Sequence, residues 1–186
     1  MTSSSSPPIP GYVASTWVID PVHSDVSFTV RHLMVSRVRG RFVRFTGQIV
    51  TAEDVSASSV TAEIDMTSID TGNAERDDDL RSASYLDVEQ YPTMTYRSTA
   101  VHATGERFVV DGQLTLHGVA RPVQLAGRLH GFHPNGKGGT VAGLAATAEI
   151  NRSDFGIKLA LPIPGGGVVV GDTVSITLEI EAKLAE

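Results

Sequence analysis

Apolar and polar residues alternate with period two through much of the chain. That is the spacing of a β-strand with one dry face and one wet face. Over 25–33, Val26, Phe28, Val30 and His32 alternate with Asp25, Ser27, Thr29 and Arg31. Val60, Ala62, Ile64 and Met66 do the same against Thr61, Glu63 and Asp65. The last segment is the clearest, with Val174, Ile176, Leu178 and Ile180 set against Thr173, Ser175, Thr177, Glu179 and Glu181. Further strands are expected over 16–20, 41–52, 93–104, 107–116, 120–132 and 140–151, about eight or nine in all. Phe42 and Phe45 stand three apart and break the period. A β-bulge near Arg44 returns both rings to one face.

Two stretches depart from the pattern. Residues 71–91 are polar and lack β-branched residues after Thr71. Thr71 or Asn73 can cap a helix there, and Asp77, Asp78 and Asp79 would sit near its positive end. Leu80, Ala83 and Leu86 would form the apolar stripe, and Pro92 returns the chain to extended geometry. Residues 154–172 form a long loop containing Leu161-Pro162-Ile163-Pro164 and three successive glycines. It reads equally as a lid and as a surface excursion. Many antiparallel strands with little helix imply a closed or nearly closed barrel, or a sandwich. Several candidate inward positions are small: Ala62, Gly112, Gly127, Gly143 and Ala145. They suit an unfilled interior and a tightly packed one equally well.

Composition narrows the chemistry. The chain has 186 residues, 41% of them hydrophobic, enough for one domain with a sizeable core. A net charge of −6 argues against a nucleic-acid partner. The basic cluster Arg37, Arg39, Arg41 and Arg44 contains Gly40 and reads as a solvated turn. With no cysteine, disulfides, thiolate metal sites and cysteine nucleophiles are excluded. The first residues lack a basic start and an apolar run, so the reading is a cytoplasmic chain with a disordered tail over 1–14 and one domain over 15–185. No stretch of about 18 apolar residues is present to span a bilayer.

The familiar reactive motifs fail. His130 and His133 lie beside Pro134 in an expected turn, and no zinc-protease helix motif occurs. The acidic run at 77–79 lacks the carboxylate of a calcium loop at its twelfth position, where Val88 stands. The segment 131–138 ends in Gly138 where a phosphate loop needs Ser or Thr, and reads as an Asn-Gly hairpin turn. No metal and no cofactor are expected.

Several segments, in order, resemble the YceI-like family of lipocalin-like polyisoprenoid-binding proteins. They are Trp17 to His32 with Asp20, His23 and Ser24; Gly40, Phe42, Phe45 and Gly47; and Ile69-Asp70-Thr71 with Asn73. There follow Arg76-Asp77, Leu80-Arg81-Ser82, Tyr85 to Val88 and Tyr91-Pro92. Gly112 to Val119, Arg121-Pro122-Val123, Ile150 to Ile157 and Val170-Gly171-Asp172 complete the set. The resemblance runs from about 17 to 183. The chain departs from it at Asp79, often histidine in the family, and at Tyr85 and Leu86, often two aromatics.

The resemblance implies an all-β fold: an extended eight-stranded antiparallel lipocalin-like barrel with a short helical insert around residues 73–87. It also implies a hydrophobic tunnel for a polyisoprenoid or quinone-like lipid. Joined to the alternation phase, it sets Phe28, Val30, His32, Phe42, Phe45, Leu80, Leu86, Met94, Tyr96, Leu114, Leu116 and Phe155 around that tunnel. The expected function is non-enzymatic binding, transport or storage of the lipid, and the sequence leaves a homodimer open. Two other readings stand beside it. One is an enzyme using the same cavity, with His32, His117 and Asp87 as the residues to suspect. The other is a ligand-free interaction scaffold with a solid interior.

Overall fold

The computed structural model describes residues 9–158 and 169–186. Its strands are β1 (Ser15–Ile19), β2 (Asp25–His32), β3 (Ser36–Phe42), β4 (Phe45–Thr51), β5 (Ser59–Asp65) and β6 (Ile69–Asp70), then β7 (Thr93–Thr104), β8 (Arg107–Leu116), β9 (Val119–Pro134), β10 (Thr140–Asn151) and β11 (Val170–Leu184). One helix, α1 (Ala74–Arg81), separates β6 from β7. β1 and β2 are two halves of one run, since both pair with β11, as Trp17 with Leu184 and Val26 with Leu178. β3–β4 and β5–β6 are likewise single runs with a break. The result is an eight-stranded antiparallel barrel in which each run pairs with the next, and β11 closes the ring onto β1 and β2.

Each break has a local cause. Val43 and Arg44 step out of the ladder between β3 and β4, which leaves Phe42 and Phe45 both buried, as their spacing predicts. The amide nitrogen of Arg44 donates to the hydroxyl of Ser68, so the break leaves no orphan donor there. Residues 20–24 loop out between β1 and β2. This loop is sewn to β11 by Ser24, whose hydroxyl donates to the Glu181 carbonyl and accepts from the Glu181 amide. Inside the loop lies the carboxylate of Asp20, its side chain only 4% exposed. It accepts from the Val22 amide at 3.0 Å and from Lys183 Nζ at 2.6 Å, and lies 2.8 Å from His23 Nδ1. The His23 contact above all, then the Lys183 ammonium, holds its pKa well below the usual carboxylate range.

Three inward aromatics lie over inward glycines of the neighbouring strand. The Phe28 ring covers Gly40, Tyr96 covers Gly112, and Phe108 covers Gly127. A Cβ at Gly112 would sit 2.4 Å from the Tyr96 ring. These flat pairs let large side chains line the wall without filling the barrel. Gly143 and Ala145, in contrast, are on the outer phase of β10, because Leu144 and Ala146 take the inner one.

Other expectations are corrected. The helix is shorter than 73–87: Asn73 caps it through Arg76, it stops at Arg81, and Ala83 is exposed beyond it. Of its acidic run, Asp77 is buried and accepts from the Thr71 amide and hydroxyl. Arg37, Arg39 and Arg41 belong to strand β3 and not to a turn, since Val38, Gly40 and Phe42 between them face inward. His130 and His133 stand on β9, with the turn itself made by Asn135 accepting from Lys137 and Gly139. The middle of the 154–172 loop, residues 159–168, lies outside the described residues. Residues 1–8 of the expected tail do too, whereas the Tyr12 hydroxyl is bonded to the Ala52 carbonyl at 2.6 Å.

Two consequences can be measured. Gly112→Ala should cost about 1–3 kcal/mol through overpacking, and a Tyr96→Leu background should absorb most of that cost; an additive double mutant would contradict the pairing. Asp20 contributes stability fully above the ordinary aspartate range, near pH 4. As pH falls below that range the unfolded chain takes up the proton first, and the contribution is lost. Asp20→Asn should therefore cost about 2 kcal/mol near neutral pH and flatten the acid side of a plot of Tm against pH, where an unchanged slope would argue against it.

Candidate functional site: an apolar tunnel

The inward faces of the strands enclose two cavities that meet end to end. The larger, about 230 Å³, runs from the barrel middle to the end that carries the β7–β8 and β9–β10 turns. The smaller, about 140 Å³, runs from the middle to the end covered by α1. Val26, Met94 and Ile176 line both and form a waist between them. The walls are Leu, Ile, Val, Phe, Met and Ala nearly throughout. Thr51, Ser58 and Glu106 border the larger cavity at its mouth.

Tyr96 brings a hydroxyl into the interior. That group is directed at the Val123 carbonyl at 2.9 Å and the Val110 carbonyl at 3.2 Å, across Gly112. Burial, aided by nearby Asp111, pushes its pKa up to about 12. The group is therefore neutral and already bonded, and the wall carries no charge at that point. Among the described residues, no buried side-chain nitrogen or oxygen lacks a hydrogen-bond partner.

The sequence-derived residues fall as follows. Phe28, Val30, Phe42, Leu80, Leu86 and Leu116 line the smaller cavity. Phe45, Tyr96 and Leu114 line the larger, and Met94 lines both. His32 and Phe155 line neither. His32 has the inward phase, but it is the last residue of β2, beyond the cavity wall, where it pairs with Ser36 and Val170. Phe155 is 1% exposed in the core, on a 3-10 turn, and its carbonyl lies 3.1 Å from His117 Nδ1. Phe108, Leu125, Leu144 and Ile176 belong to the lining as well. All four have the inward phase of the alternation along β8 to β11.

The rims are built by polar bonds. At the α1 end, Arg81 donates to the carbonyls of Thr67 and Ile69, which pins the helix and holds Leu80 over the opening. Arg152 borders the same cavity and donates to the carbonyls of Ile157, Val170 and Gly171, tying the 3-10 turn to the start of β11. At the other end, Tyr12 packs edge-on against Phe132, whose ring lies tilted against Trp17 at 5.0 Å.

Other chemistry finds less support. His117 occupies the β8–β9 turn with the Tyr91 ring tilted against it at 4.6 Å, while the Asp87 carbonyl accepts from the amides of Gln90 and Tyr91. No hydrogen bond joins His32, His117 and Asp87 to one another among the described residues. Asp20, His23 and Glu181 could offer a cation three atoms within 4.8 Å of one another. The Asp20 carboxylate of that group is already paired with the Lys183 ammonium, which makes the group part of an ion-pair network. No described helix is long and apolar enough to cross a membrane.

Known proteins share this architecture. The chain is similar to Protein YceI of Escherichia coli O157:H7, 40% identical over 152 residues that cover 80% of each chain. Its fold is like that of BcnA from Burkholderia cenocepacia, with a TM-score of 0.74 at 24% identity, covering 88% of this chain and 98% of that one. It is also like a polyisoprenoid binding domain from Saccharophagus degradans, with a TM-score of 0.68 at 20% identity, covering 94% and 100%. The YceI-like domain matches residues 17–182. On that match and the identity to the E. coli protein, the chain belongs to the YceI-like family.

Proposed function

We propose that this chain binds and carries a long apolar lipid, of polyisoprenoid or isoprenoid-quinone class, in the tunnel and performs no chemistry on it. One observation carries the reading: two apolar cavities lie in line along the barrel and share the lining residues Val26, Met94 and Ile176. Each methylene moved from water into such a site contributes about 0.8 kcal/mol. A chain of several isoprene units therefore binds tightly without any charged contact. The Tyr96 hydroxyl is already engaged and offers a polar head group no free partner there, so the head stays at a rim. The description of the Saccharophagus domain as polyisoprenoid binding supports the same ligand class. Open space inside the barrel speaks against the solid scaffold.

The waist supplies the test. Val26→Trp should fill the junction of the two cavities and leave each separately open. Native mass spectrometry after incubation with polyprenols should show a stoichiometric adduct on the parent chain. On the tryptophan variant that adduct should weaken by at least about 100-fold, the equivalent of three or four lost methylene contacts. Short apolar probes that fit one cavity should keep their affinity. Equal polyprenol uptake by both proteins would overturn the assignment.

A further inference from the structure

The β2–β3 connection, Leu33 to Val35, contains a tight turn that breaks the usual residue rule. Leu33 and Met34 both hold left-handed backbone, with φ of 50° and 60°, and the Val35 amide closes the turn onto the His32 carbonyl at 3.2 Å. Such turns call for Asn and Gly, because bulky side chains are strained there. The β8–β9 turn of this same chain follows the rule, with Gly118 at its second position. At β2–β3 the strain is kept and apolar bulk is displayed: Leu33 is 41% exposed, Met34 54% and Val35 87%. Strain retained at one spot points to a use for the residues that cause it.

The flanks are cationic. Arg31 and Arg37 face each other directly across the hairpin, and Arg39 is next along the same face. All three are exposed, and none makes an ion pair among the described residues. Arg41, the next outward arginine, is paired with Asp70. Like charges directly opposite one another repel, yet this acidic chain, net −6, concentrates them here. The hairpin also adjoins the tunnel mouth. Val30 lines the cavity, the Leu33 amide donates to the Val169 carbonyl, and Val170 lines the cavity again, with Leu80 and Leu86 half-buried at the same rim.

We infer that the β2–β3 hairpin is a membrane-docking element: Leu33, Met34 and Val35 enter an anionic bilayer surface, and Arg31, Arg37 and Arg39 engage its phosphate head groups. Apolar insertion combined with basic neighbours is how a peripheral surface binds anionic lipid. Docking at this hairpin sets the α1-end mouth against the bilayer, so a lipid tail passes from membrane to tunnel with little of it meeting water. The inference rests on the lipid-carriage reading, and its test separates the two.

The full chain, free of lipid, is sedimented with vesicles of phosphatidylcholine and phosphatidylglycerol, and with phosphatidylcholine alone. It should bind the anionic vesicles, and lose that binding on the neutral ones or in high salt. The triple variant Leu33→Asn, Met34→Gly, Val35→Thr suits the turn better than the native residues, so it should fold. Its vesicle binding should fall by at least about tenfold, while polyprenol loading from detergent micelles stays unchanged. Arg31→Glu with Arg37→Glu should abolish anionic selectivity. Undiminished binding by the triple variant, no binding by the parent chain, or a loss of self-association in place of vesicle binding would each overturn the docking assignment. Failure of every form to load from micelles would instead overturn the carriage reading.

Discussion

The backbone hydrogen bonds that join β11 to β1 and β2 close the sheet, and the interior depends on that closure. An open eight-run sheet would leave two edges and one broad apolar face that something else must cover. Closing the ring turns that face into an inner surface. β11 can do this because it is long, from Val170 to Leu184. It pairs with β10 on one side and with both halves of the first run on the other. The extra residues between β1 and β2 would break the seam, but Asp20, His23 and Ser24 bind the excursion back to Glu181 and Lys183. A polar network on the wall thus keeps the seam closed.

Closure alone does not leave space. A small barrel is ordinarily filled by its own side chains. Here the pairing of flat rings with glycines, as at Phe28 over Gly40 and Tyr96 over Gly112, presses aromatic mass against the wall. The waist at Val26, Met94 and Ile176 shows the limit of this device, because none of these three side chains lies over a glycine. The Tyr96 hydroxyl is already bonded, so it does not act as a polar anchor in the wall. Recognition in such a tunnel follows length and shape, while charge and hydrogen bonding are confined to its two rims.

The rims differ in kind. At one, Tyr12, Phe132 and Trp17 form an aromatic cluster beside the opening. At the other, α1, Arg81 and Arg152 frame an opening next to an apolar hairpin with a basic face. The asymmetry gives the barrel a direction, and it places the strained residues where lipid would enter.

Much of this was legible in the sequence. Period-two alternation marks the strands, because inside and outside follow from the pleat alone, and the spacing of Phe42 and Phe45 marks an irregularity that is a break between β3 and β4 and not a bulge. The resemblance of the ordered segments supplied the eight-stranded closure and the tunnel. Ten of the twelve proposed lining residues stand on its walls. What failed was whatever depends on where an element ends in space. His32 has the inward phase but lies past the cavity, and Phe155 carries a family motif but supports the wall from the core. Gly143 and Ala145 were assigned to the wrong face, because a stretch of small residues carries little contrast between its two phases. The arginines of β3 looked like a turn because a strand with one wet face and a central glycine has the composition of one. Local pattern fixes which way a side chain points. Only the closed tertiary structure decides what it meets there, because the partners come from strands distant in sequence.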